Sequence, residues 1–443
     1  MSTQSDSTLS GWGRLPVPGR EIVSEDLEQI TREVPLSRGL GRSYGDSALP
    51  PPGWDRVAGT RLAERFLAFD PETGLLRAEA GLSLRELNRV FLPRCWSSPV
   101  QPGTQYITLG GMVAADVHAK NHHCDGCFGV HVERLRMRLA DGRILWCSRR
   151  EEPELFRATL GGMGLTGHLL EVEFRMQAIP TPWIWAETER IGDLDRFLAA
   201  LREAAQQWPM TMGWIDCLTR GKHMGRGIIF RGRWAEPGEA PARPPQQHKR
   251  LAVPIDFPSW ALNRFSVRLF NLLYYRKQLR RRRCGIFHPE SFFHPLDAIS
   301  DWNRIYGRRG FTQHQCVIPD TRGAEGVRRF LDLLTRLGIA SFLCVIKDCG
   351  AEGEGLLSFP RPGVTIALDI PVRNKTPAAI ARLNEQVIAE GGRIYLAKDA
   401  FTTAEHFRAM EPRLDEWLRI KKQWDPQGRL RSAQSVRLFG DQV

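Results

Sequence analysis

The stretch Gln101–Val132, with the sequence QPGTQYITLGGMVAADVHAKNHHCDGCFGVHV, is the part of the chain that decides the fold. It combines a Pro-Gly-Thr turn, the Gly110-Gly111 pair and a series of small residues with two histidine-rich steps. Glycine has no Cβ atom, so another group can approach the backbone closely, and free N–H groups in such a loop can bind an anion. We therefore predict that this segment contacts an anionic cofactor.

A second glycine-rich loop lies upstream, at Ser37–Ser47 (SRGLGRSYGDS). Its glycines have the spacing GxGxxxG, and the residues that follow it read ALPPPGW. A Rossmann phosphate turn must lead into a helix, which this proline-rich continuation cannot open, so we exclude that fold. Neither of the two loops is expected to lead into a clear helix. We predict instead that together they hold one diphosphate group from both sides.

Length, composition and charge set the broad class of the protein. A chain of 443 residues exceeds the usual size of one hydrophobic core, so about two domains are expected. No secretory leader is recognisable and the nine cysteines are scattered, which favours a reducing, cytoplasmic location. No apolar run is long enough to span a membrane. The net charge of +12 indicates an acidic partner, and nucleic acid, anionic lipid or a phosphorylated substrate would each satisfy it.

Periodicity predicts a mixture of helices and strands, with a domain boundary near residue 182, where the glycine punctuation thins. Residues 393–399, RIYLAKD, are expected to form a last strand with Tyr395 and Asp399 on one face. The other predicted elements are a hairpin at Val132–Ser148, a short helix at Glu151–Leu160, strands at Met212–Leu218, Gly227–Trp234 and Val364–Val372, and helices at Leu194–Trp208, Gly323–Leu337 and from Ala404 onward.

A further predicted strand, Phe311–Ile318, carries two glutamines. Because side chains alternate along a strand, Gln313 and Gln315 should lie on one face and His314 on the other. The glutamines could bind a ligand, or they could be ordinary polar residues facing solvent.

Residues 236–290 differ in composition from their surroundings. A proline-rich charged linker, AEPGEAPARPPQQHKR, precedes SWALNRFSVRLFNLLYYRKQLRRRRCG, where apolar residues recur at helical spacing before a basic run. Three interpretations stay open: a core helix with a solvated basic end, a contact with a membrane surface or lipid phosphate, and nucleic-acid binding. We predict a mobile basic lid here, because a flexible linker and two adjacent tyrosines adjoin the charge.

The motif His122-His123-Cys124-Asp-Gly-Cys127 has the spacing of half a zinc site. A structural zinc ion needs four ligands, normally in two separated pairs, and the sequence has no second CxxC or HxxxH. We therefore expect no metal here, with imidazoles that line a pocket and sulfurs that pack. No G-x-S-x-G elbow is present either, so hydrolase chemistry has no support.

Four segments carry a resemblance to a known enzyme family. SRGLGRSYGDS, PGTQYITLGGMVAADVHAKNHHCDGCFGVHV, GGMGLTGHL and GGRIYLAKDAFTTAEHF resemble the FAD-dependent decaprenylphosphoryl-β-D-ribose 2-oxidases, within the vanillyl-alcohol-oxidase-like flavoprotein superfamily. The likeness covers nearly the whole chain. It implies an α+β, two-domain PCMH-type FAD-binding fold, in which residues 1–182 and 393–443 form the FAD domain and residues 183–392 a substrate domain with an antiparallel sheet.

The same resemblance implies where FAD would bind. The flavin should be noncovalent, because Tyr44 stands where some superfamily members have a histidine that bonds to the flavin. The implied cofactor contacts are Ser37, Arg38, Gly39, Leu40, Gly41, Arg42, Ser43, Tyr44, Gly45, Asp46, Ser47, Gly103, Thr108, Leu109, Gly110, Gly111, Ala115, Asp116, Val117, His118, Leu170 and Tyr395.

The implied reaction transfers hydride from C2′ of a polyprenyl-phosphate-linked ribose to the flavin and leaves a 2′-ketone. A partner short-chain NAD(P)H-dependent reductase would then complete the epimerisation to the arabinose form. A protein group must take the hydroxyl proton, and the candidates are Lys398 and His118. The implied substrate contacts are Tyr44, Gln313, Gln315, Lys347 and Lys398.

These residues also have simpler interpretations. His118 could anchor its loop by a hydrogen bond, and Lys398 could be a fixed surface cation. The chain departs from the family at Ala367, where mycobacterial members have a cysteine. We expect that cysteine to be dispensable, because alcohol oxidation by flavin requires a base and an acceptor ring but no covalent adduct.

Two alternative functions remain at this point. One keeps the flavin but changes the substrate to a soluble sugar, polyol or lactone, and the basic segment would then be incidental. The other is a nucleic-acid-binding protein, which the sequence disfavours because its positive charge forms one patch without interleaved aromatics along a groove. The leading interpretation places the enzyme in the cytoplasm, peripherally bound to the inner membrane.

Overall fold

The structure, a computed structural model, describes residues 7–246, 250–258 and 260–440. The strands are β1 (Thr8–Ser10), β2 (Pro16–Pro18), β3 (Arg20–Val23), β4 (Ser37–Arg38), β5 (Arg56–Gly59), β6 (Phe66–Asp70), β7 (Leu75–Glu79), β8 (Trp96–Ser97), β9 (Val132–Arg138), β10 (Ile144–Ser148), β11 (His168–Arg175), β12 (Gln177–Ala178), β13 (Ile184–Ile191), β14 (Met210–Ile215), β15 (Gly227–Trp234), β16 (Leu251–Ala252), β17 (Arg282–Phe287), β18 (Ile299–Ser300), β19 (Phe311–Pro319), β20 (Cys344–Cys349), β21 (Gly363–Pro371) and β22 (Arg393–Ile394).

The helices are α1 (Leu27–Ile30), α2 (Leu84–Phe91), α3 (Leu109–Ala114), α4 (His122–Asp125), α5 (Pro153–Thr159), α6 (Leu194–Gln207), α7 (Arg264–Lys277), α8 (Pro289–Phe293), α9 (Gly323–Leu337), α10 (Thr376–Ala389), α11 (Ala404–Met410), α12 (Leu414–Trp424) and α13 (Ala433–Phe439). The predicted α+β class is confirmed, and so are the hairpin at β9–β10 and helices α6 and α9.

Two sheets of three or more strands lie in the first part of the chain, beside the two-stranded pairs β1-β2 and β8-β12. In the described residues, β3, β5 and β4 make a small parallel sheet, and an antiparallel sheet has the order β10-β9-β11-β7-β6. The β9–β10 hairpin turns at Gly142, which has a φ of 91° that favours glycine, and the Asp141 carboxylate accepts a hydrogen bond from the Arg143 N–H at 3.0 Å. Leu135 and Met137 face the core from β9, as their alternation predicts.

An antiparallel sheet occupies the middle of the chain, with the order β17-β13-β15-β14-β20-β21-β19-β22 over the described residues. Helices α6, α9 and α10 pack on this sheet and bury Phe197, Phe330 and Leu383 completely. In the β19–β21 register, Gln313 lies opposite Asp369. The site-bearing strands therefore lie near one end of this sheet, next to β22.

The C-terminal helices return to the first part of the chain. Trp417 of α12 is fully buried, and its indole N–H donates to the Ala158 carbonyl of α5 at 2.9 Å. Arg437 of α13 forms an ion pair of 2.7 Å with Asp46 in the first glycine-rich loop. Strand β22 nevertheless pairs with β19 in the large sheet. The division of the chain at residues 182 and 393 stays a prediction.

Two local predictions are wrong. The expected last strand ends at Ile394, because residues Leu396–Lys398 form a 3₁₀ turn that directs Tyr395 and Asp399 to different neighbours. The second glycine-rich loop does lead into a helix, α3, since the Thr108 side chain accepts a hydrogen bond from the Gly111 N–H and caps it. Gly110 and Gly111 have low helix propensity, so propensity alone did not predict this helix.

The segment at 236–290 is described except for residues 247–249 and 259. It contains helix α7, as the spacing predicts, and the basic run that follows enters strand β17. Within that run, Arg282 pairs with Glu189 at 3.1 Å, so part of the positive charge is neutralised. Whether the segment moves as a lid stays a prediction. No helix in the described part of the chain has both the length and the apolar character needed to cross a bilayer.

Candidate active site

The first glycine-rich loop presents backbone donors. Among the described residues, none of the N–H groups from Gly39 to Ser43 donates a hydrogen bond to a protein group, and this stretch is only partly buried. Side chains on either side hold the loop in place. Arg38 donates to Glu21 at 2.6 Å and to the Ser10 carbonyl at 2.8 Å, and Ser37 contacts the His168 ring at 2.8 Å. Free, converging N–H groups on a fixed loop can bind a phosphate.

The second glycine-rich loop touches the first. A Cβ atom on Gly39 would lie 2.6 Å from the Thr108 hydroxyl oxygen, so only glycine permits this approach. The Gly110 N–H donates to the Ala80 carbonyl at 2.8 Å, and the Ala80 N–H in turn donates to the Leu170 carbonyl at 2.9 Å. The two loops therefore lie in direct contact, with the bare backbone of Gly39 against the Thr108 side chain, as a shared grip on one diphosphate requires.

Most of the other predicted cofactor residues are buried. Leu109, Ala115, Val117 and Leu170 lie in the main hydrophobic core. Gly103 is exposed at its turn, where a Cβ atom would meet no protein atom within 4 Å.

Asp116 locks the backbone that precedes His118. It has a φ of 38°, and its carboxylate accepts from the Gly129 N–H at 2.7 Å and from the Ser358 hydroxyl. Burial raises the pKa of Asp116 to about 6, against these hydrogen bonds. The Tyr395 hydroxyl donates to the Ala115 carbonyl at 3.0 Å on the same stretch. The sequence did not single out Ser358, which has no local motif.

His118 is joined to the large sheet. Its Nε2 atom lies 2.9 Å from the Gln315 amide nitrogen, and its ring packs 5.0 Å from the ring of Tyr395. Burial, together with the positive Lys347 and with His122, lowers the pKa of His118 well below its usual value, so the ring is neutral. Its Nδ1 atom is buried without a hydrogen-bond partner among the described residues. This contact confirms that Gln315 faces inward from β19.

Lys398 lies over the aromatic face of Tyr44, with 3.9 Å between its ammonium nitrogen and the ring centroid. Among the described residues its ammonium makes no hydrogen bond. Burial lowers the pKa of Lys398 to about 8, with Lys347 acting in the same direction and Asp369 opposing it. It is not a fixed surface cation. The lysine sits where the first glycine-rich loop meets the large sheet, since the Tyr44 N–H donates to the Ala397 carbonyl at 2.9 Å.

A buried carboxylate next to Lys398 was missed by sequence reasoning. Asp369 accepts from the Gln313 amide at 2.6 Å and from the Tyr306 hydroxyl at 2.9 Å. Burial raises the pKa of Asp369 to about 6, and the two hydrogen bonds oppose that shift. Its position two residues beyond Ala367 on β21 was the available signal, since alternate residues of a strand share a face.

Three further predicted residues, Lys347, Arg42 and Asp46, lie around Lys398 and the first glycine-rich loop. Lys347 is partly buried, its ammonium lies 3.5 Å from the Ala119 carbonyl, and burial lowers its pKa. The guanidinium of Arg42 lies between the rings of Trp12 and Tyr106, 4.0 and 4.8 Å from their centroids. Asp46 is paired with Arg437 and braces its loop.

The histidine and cysteine motif packs internally. The Gly350 N–H donates to the His122 ring at 3.1 Å, and Cys127 Sγ lies 3.4 Å from the other ring nitrogen. His123 lies 3.2 Å from Asp348. Within the described ranges, no three such side chains come together in a way that could hold a metal ion.

A bound FAD fits these residues. Unpaired backbone donors line the first loop, and the two loops touch at Gly39 and Thr108. The Nδ1 atom of His118 and the Tyr106 hydroxyl are buried without partners among the described residues. The family described as FAD binding domain matches residues 36–148, which contain both loops.

A decaprenylphosphoryl-β-D-ribose oxidase of Mycolicibacterium smegmatis is 35% identical over 449 residues, covering 97% of this chain and 97% of that protein. The chain belongs to the decaprenylphosphoryl-β-D-ribose oxidase family. It is therefore an FAD-dependent oxidoreductase with the PCMH-type FAD-binding fold.

Other relatives extend the family comparison. A Streptomyces coelicolor protein, described as an uncharacterized protein in the mprA 5′ region, is 32% identical over 362 residues, which cover 78% of this chain and 96% of that protein. A human Delta(24)-sterol reductase is 26% identical over 111 residues, only 25% of this chain. Likeness to decaprenylphosphoryl-β-D-ribose oxidases thus spans the whole chain, whereas likeness to the sterol reductase is confined to a quarter of it.

Proposed function

We propose that this chain oxidises the 2′-hydroxyl of a polyprenylphosphoryl-β-D-ribose to the 2′-ketone, the first half of an epimerisation to the arabinose form. The observation that carries the proposal is the placement of Lys398, a half-buried lysine with a pKa of about 8, over Tyr44 of the FAD loop. An alcohol oxidation needs a proton acceptor at the cofactor, and this amine is poised to lose its proton near neutral pH.

Lys398 is the proton acceptor in this proposal. A lysine with its usual pKa would be charged at neutral pH, but burial brings the pKa down to about 8 and makes the neutral amine accessible. Asp369 accepts from Gln313 and Tyr306 and opposes that shift, so it sets how much neutral amine is present. FAD, when bound, supplies the hydride acceptor.

His118 positions the site and does not take the proton. The Gln315 amide donates to Nε2, so the neutral ring carries its hydrogen on Nδ1 and cannot accept at either nitrogen. Gln315 also contacts the Thr365 hydroxyl at 3.3 Å, which fixes the amide from a second side. His118 thereby ties the second glycine-rich loop to the large sheet and offers its free Nδ1–H as a donor.

The substrate would lie between Lys398 and Lys347. The charge on Lys347 lowers the pKa of Lys398 and so favours its neutral amine, and a phosphate that binds nearby would be stabilised by Lys347. The departure at Ala367, which lies opposite Gln315 in the β19–β21 register, leaves a short side chain on the same face. Alcohol oxidation by flavin requires a base and an acceptor ring but no covalent adduct, so we expect no thiol to be needed at this position.

The proposed 2′-ketone product requires a second enzyme. Epimerisation demands that hydride return to the opposite face of the sugar carbon, which the same cofactor site cannot present without turning the substrate over. We propose a short-chain NAD(P)H-dependent reductase as the partner that consumes the ketone.

Anaerobic titration tests the proposed substrate. Polyprenylphosphoryl-β-D-ribose should bleach the visible absorption of the flavin-loaded protein, whereas the arabinose epimer, ribose 5-phosphate and sugar lactones should not. Bleaching by a soluble sugar, polyol or lactone but not by the lipid-linked ribose would overturn the proposal and favour an oxidase of soluble substrates.

A further inference from the structure

Exposed apolar side chains are concentrated in one region. In the described part of the chain, fifteen large apolar side chains are exposed, and nine of them lie between residues 251 and 279. The most exposed are Leu279, Phe265, Leu251 and Trp260, at 89%, 78%, 74% and 74%. We call these nine the α7 surface: Leu251, Ile255, Phe257, Trp260, Phe265, Leu269, Phe270, Leu273 and Leu279. Apolar clustering of this kind on a protein surface marks a contact with another phase or molecule.

Helix α7 departs from the usual amphipathic pattern. Its buried face carries only Val267 and Asn271, and Asn271 donates to the Asp216 carboxylate at 2.9 Å. Its exposed face carries Phe265, Leu269 and Leu273, spaced four residues apart and therefore in one row along the helix. A helix on a water-exposed surface normally turns such large apolar side chains toward the core. The pattern indicates that the outer face meets an apolar environment.

The charge around α7 indicates which apolar environment its exposed face contacts. Between Phe257 and Pro289 the sequence has eight lysines and arginines and no aspartate or glutamate. Arg281 and Arg282 pair with Glu189 of β13. The other six make no ion pair with any described residue: Arg264, Arg268, Arg276, Lys277, Arg280 and Arg283. An apolar row flanked by free basic residues matches anionic lipid, whereas two such surfaces would repel each other.

The α7 surface is continuous with the active site. Phe270 contacts Phe342 at 5.4 Å between ring centroids, and Phe342 contacts Tyr306 at 5.7 Å. Tyr306 stacks on Phe311 at 4.1 Å and donates its hydroxyl to Asp369. A series of aromatic contacts thus leads from the exposed helix to the carboxylate beside Lys398.

We propose that the α7 surface docks on an anionic phospholipid bilayer, with Phe265, Leu269 and Leu273 among the acyl chains and the flanking basic residues on lipid phosphates. The proposal rests on the surface itself and does not require the proposed substrate. Docking in this orientation places the aromatic series at the bilayer, so that an apolar chain could pass from lipid to the site without crossing water.

Vesicle binding by the flavin-loaded full-length protein tests the proposal. The protein should sediment with phosphatidylglycerol vesicles and not with phosphatidylcholine vesicles at moderate salt. The variant Phe265→Ser, Leu269→Ser, Leu273→Ser should lose at least about tenfold in vesicle affinity, because three buried apolar side chains are removed. A matched control, Trp54→Ser, Leu62→Ser, Val130→Ser, removes exposed apolar residues elsewhere and should bind as the wild type does.

A second variant separates charge from apolar insertion. Arg268→Gln, Arg276→Gln, Lys277→Gln should weaken binding at low salt and leave flavin content and thermal unfolding unchanged. Equal vesicle binding by the wild type and the triple-serine variant would overturn the proposal, as would no binding by the wild type. A dimer that the triple-serine variant abolishes, without vesicle binding, would assign the surface to a second copy of the chain. No substrate is present in these measurements, so their failure leaves the proposed oxidation untouched.

Discussion

Replacing Lys398 with methionine should leave FAD bound and remove most of the flavin reduction rate. Methionine has about the same length but cannot accept a proton, and the ammonium it replaces makes no hydrogen bond to a described residue, so the fold should tolerate the change. A general base contributes about 10²- to 10⁴-fold, and a loss in that range is expected. The measurement is stopped-flow reduction of the flavin by polyprenylphosphoryl-β-D-ribose without oxygen. Lys222→Met, at an exposed lysine, is the matched control.

The pH dependence of the flavin reduction rate is a second test of Lys398. The neutral amine is the active form, so the rate should rise with pH and level off above the pKa of about 8. The neutral fraction is about one-tenth at pH 7 and about nine-tenths at pH 9, so the rate should rise about tenfold between them. Asp369→Asn removes the charge that raises the pKa of Lys398, and should shift the curve to lower pH.

Two results would refute this reasoning. A Lys398→Met rate within about twofold of the wild type would show that the amine is not the proton acceptor, since general bases contribute far more. A wild-type rate that does not change between about pH 6 and about pH 9 would show that no group with this pKa takes part. Loss of FAD from the variant would instead assign Lys398 to cofactor binding.

Three further results are expected. Gly45→Ala should lower the free energy of unfolding by about 1–3 kcal/mol, because the new Cβ would overlap a backbone carbonyl oxygen. The control Gly192→Ala should leave it unchanged, because a Cβ there meets open space, and thermal unfolding measures both variants. Gln315→Leu should keep FAD, slow its reduction and cost about 1–3 kcal/mol in urea unfolding, because it leaves His118 buried without its partner. Acid precipitation should release all yellow colour from the protein, since Tyr44 cannot form the histidyl bond; colour in the pellet would contradict a noncovalent flavin.

The sequence predicted most elements whose periodicity is strong. Helix α9 was predicted with its observed ends, and α6 to within one residue, because each shows a regular apolar stripe closed by a clear boundary. The alternation in β19 correctly separated Gln315, on the His118 side, from His314, which bonds to Asn384 on the helix side. Predictions failed where two local effects oppose each other. In α3 the Thr108 cap favours a helix, and it outweighs the low helix propensity of two glycines.

Some residues of the candidate site were predicted from the sequence and others were not. Its glycine loops are visible in the sequence itself, and Lys398 and His118 were predicted because they lie in segments that resemble the enzyme family. Asp369 and Ser358 were not predicted, because each lies in an ordinary strand or loop and gains its role only from a partner far along the chain. The sequence also did not predict that Phe265, Leu269 and Leu273 of α7 are exposed, because the spacing of apolar residues in a helix does not show which face packs on the core.

The amino-acid sequence by itself excluded a Rossmann turn, because glycine spacing and proline placement restrict the backbone locally. Its resemblance to a known family implied the α+β class and the use of FAD. Only the tertiary structure decided that Lys398 has a lowered pKa and that His118 is neutral. Those properties depend on burial and on the charges of Lys347 and Asp369, which lie in separate strands of the large sheet. Solvent exclusion is a property of the packed molecule, so no local pattern could have supplied it.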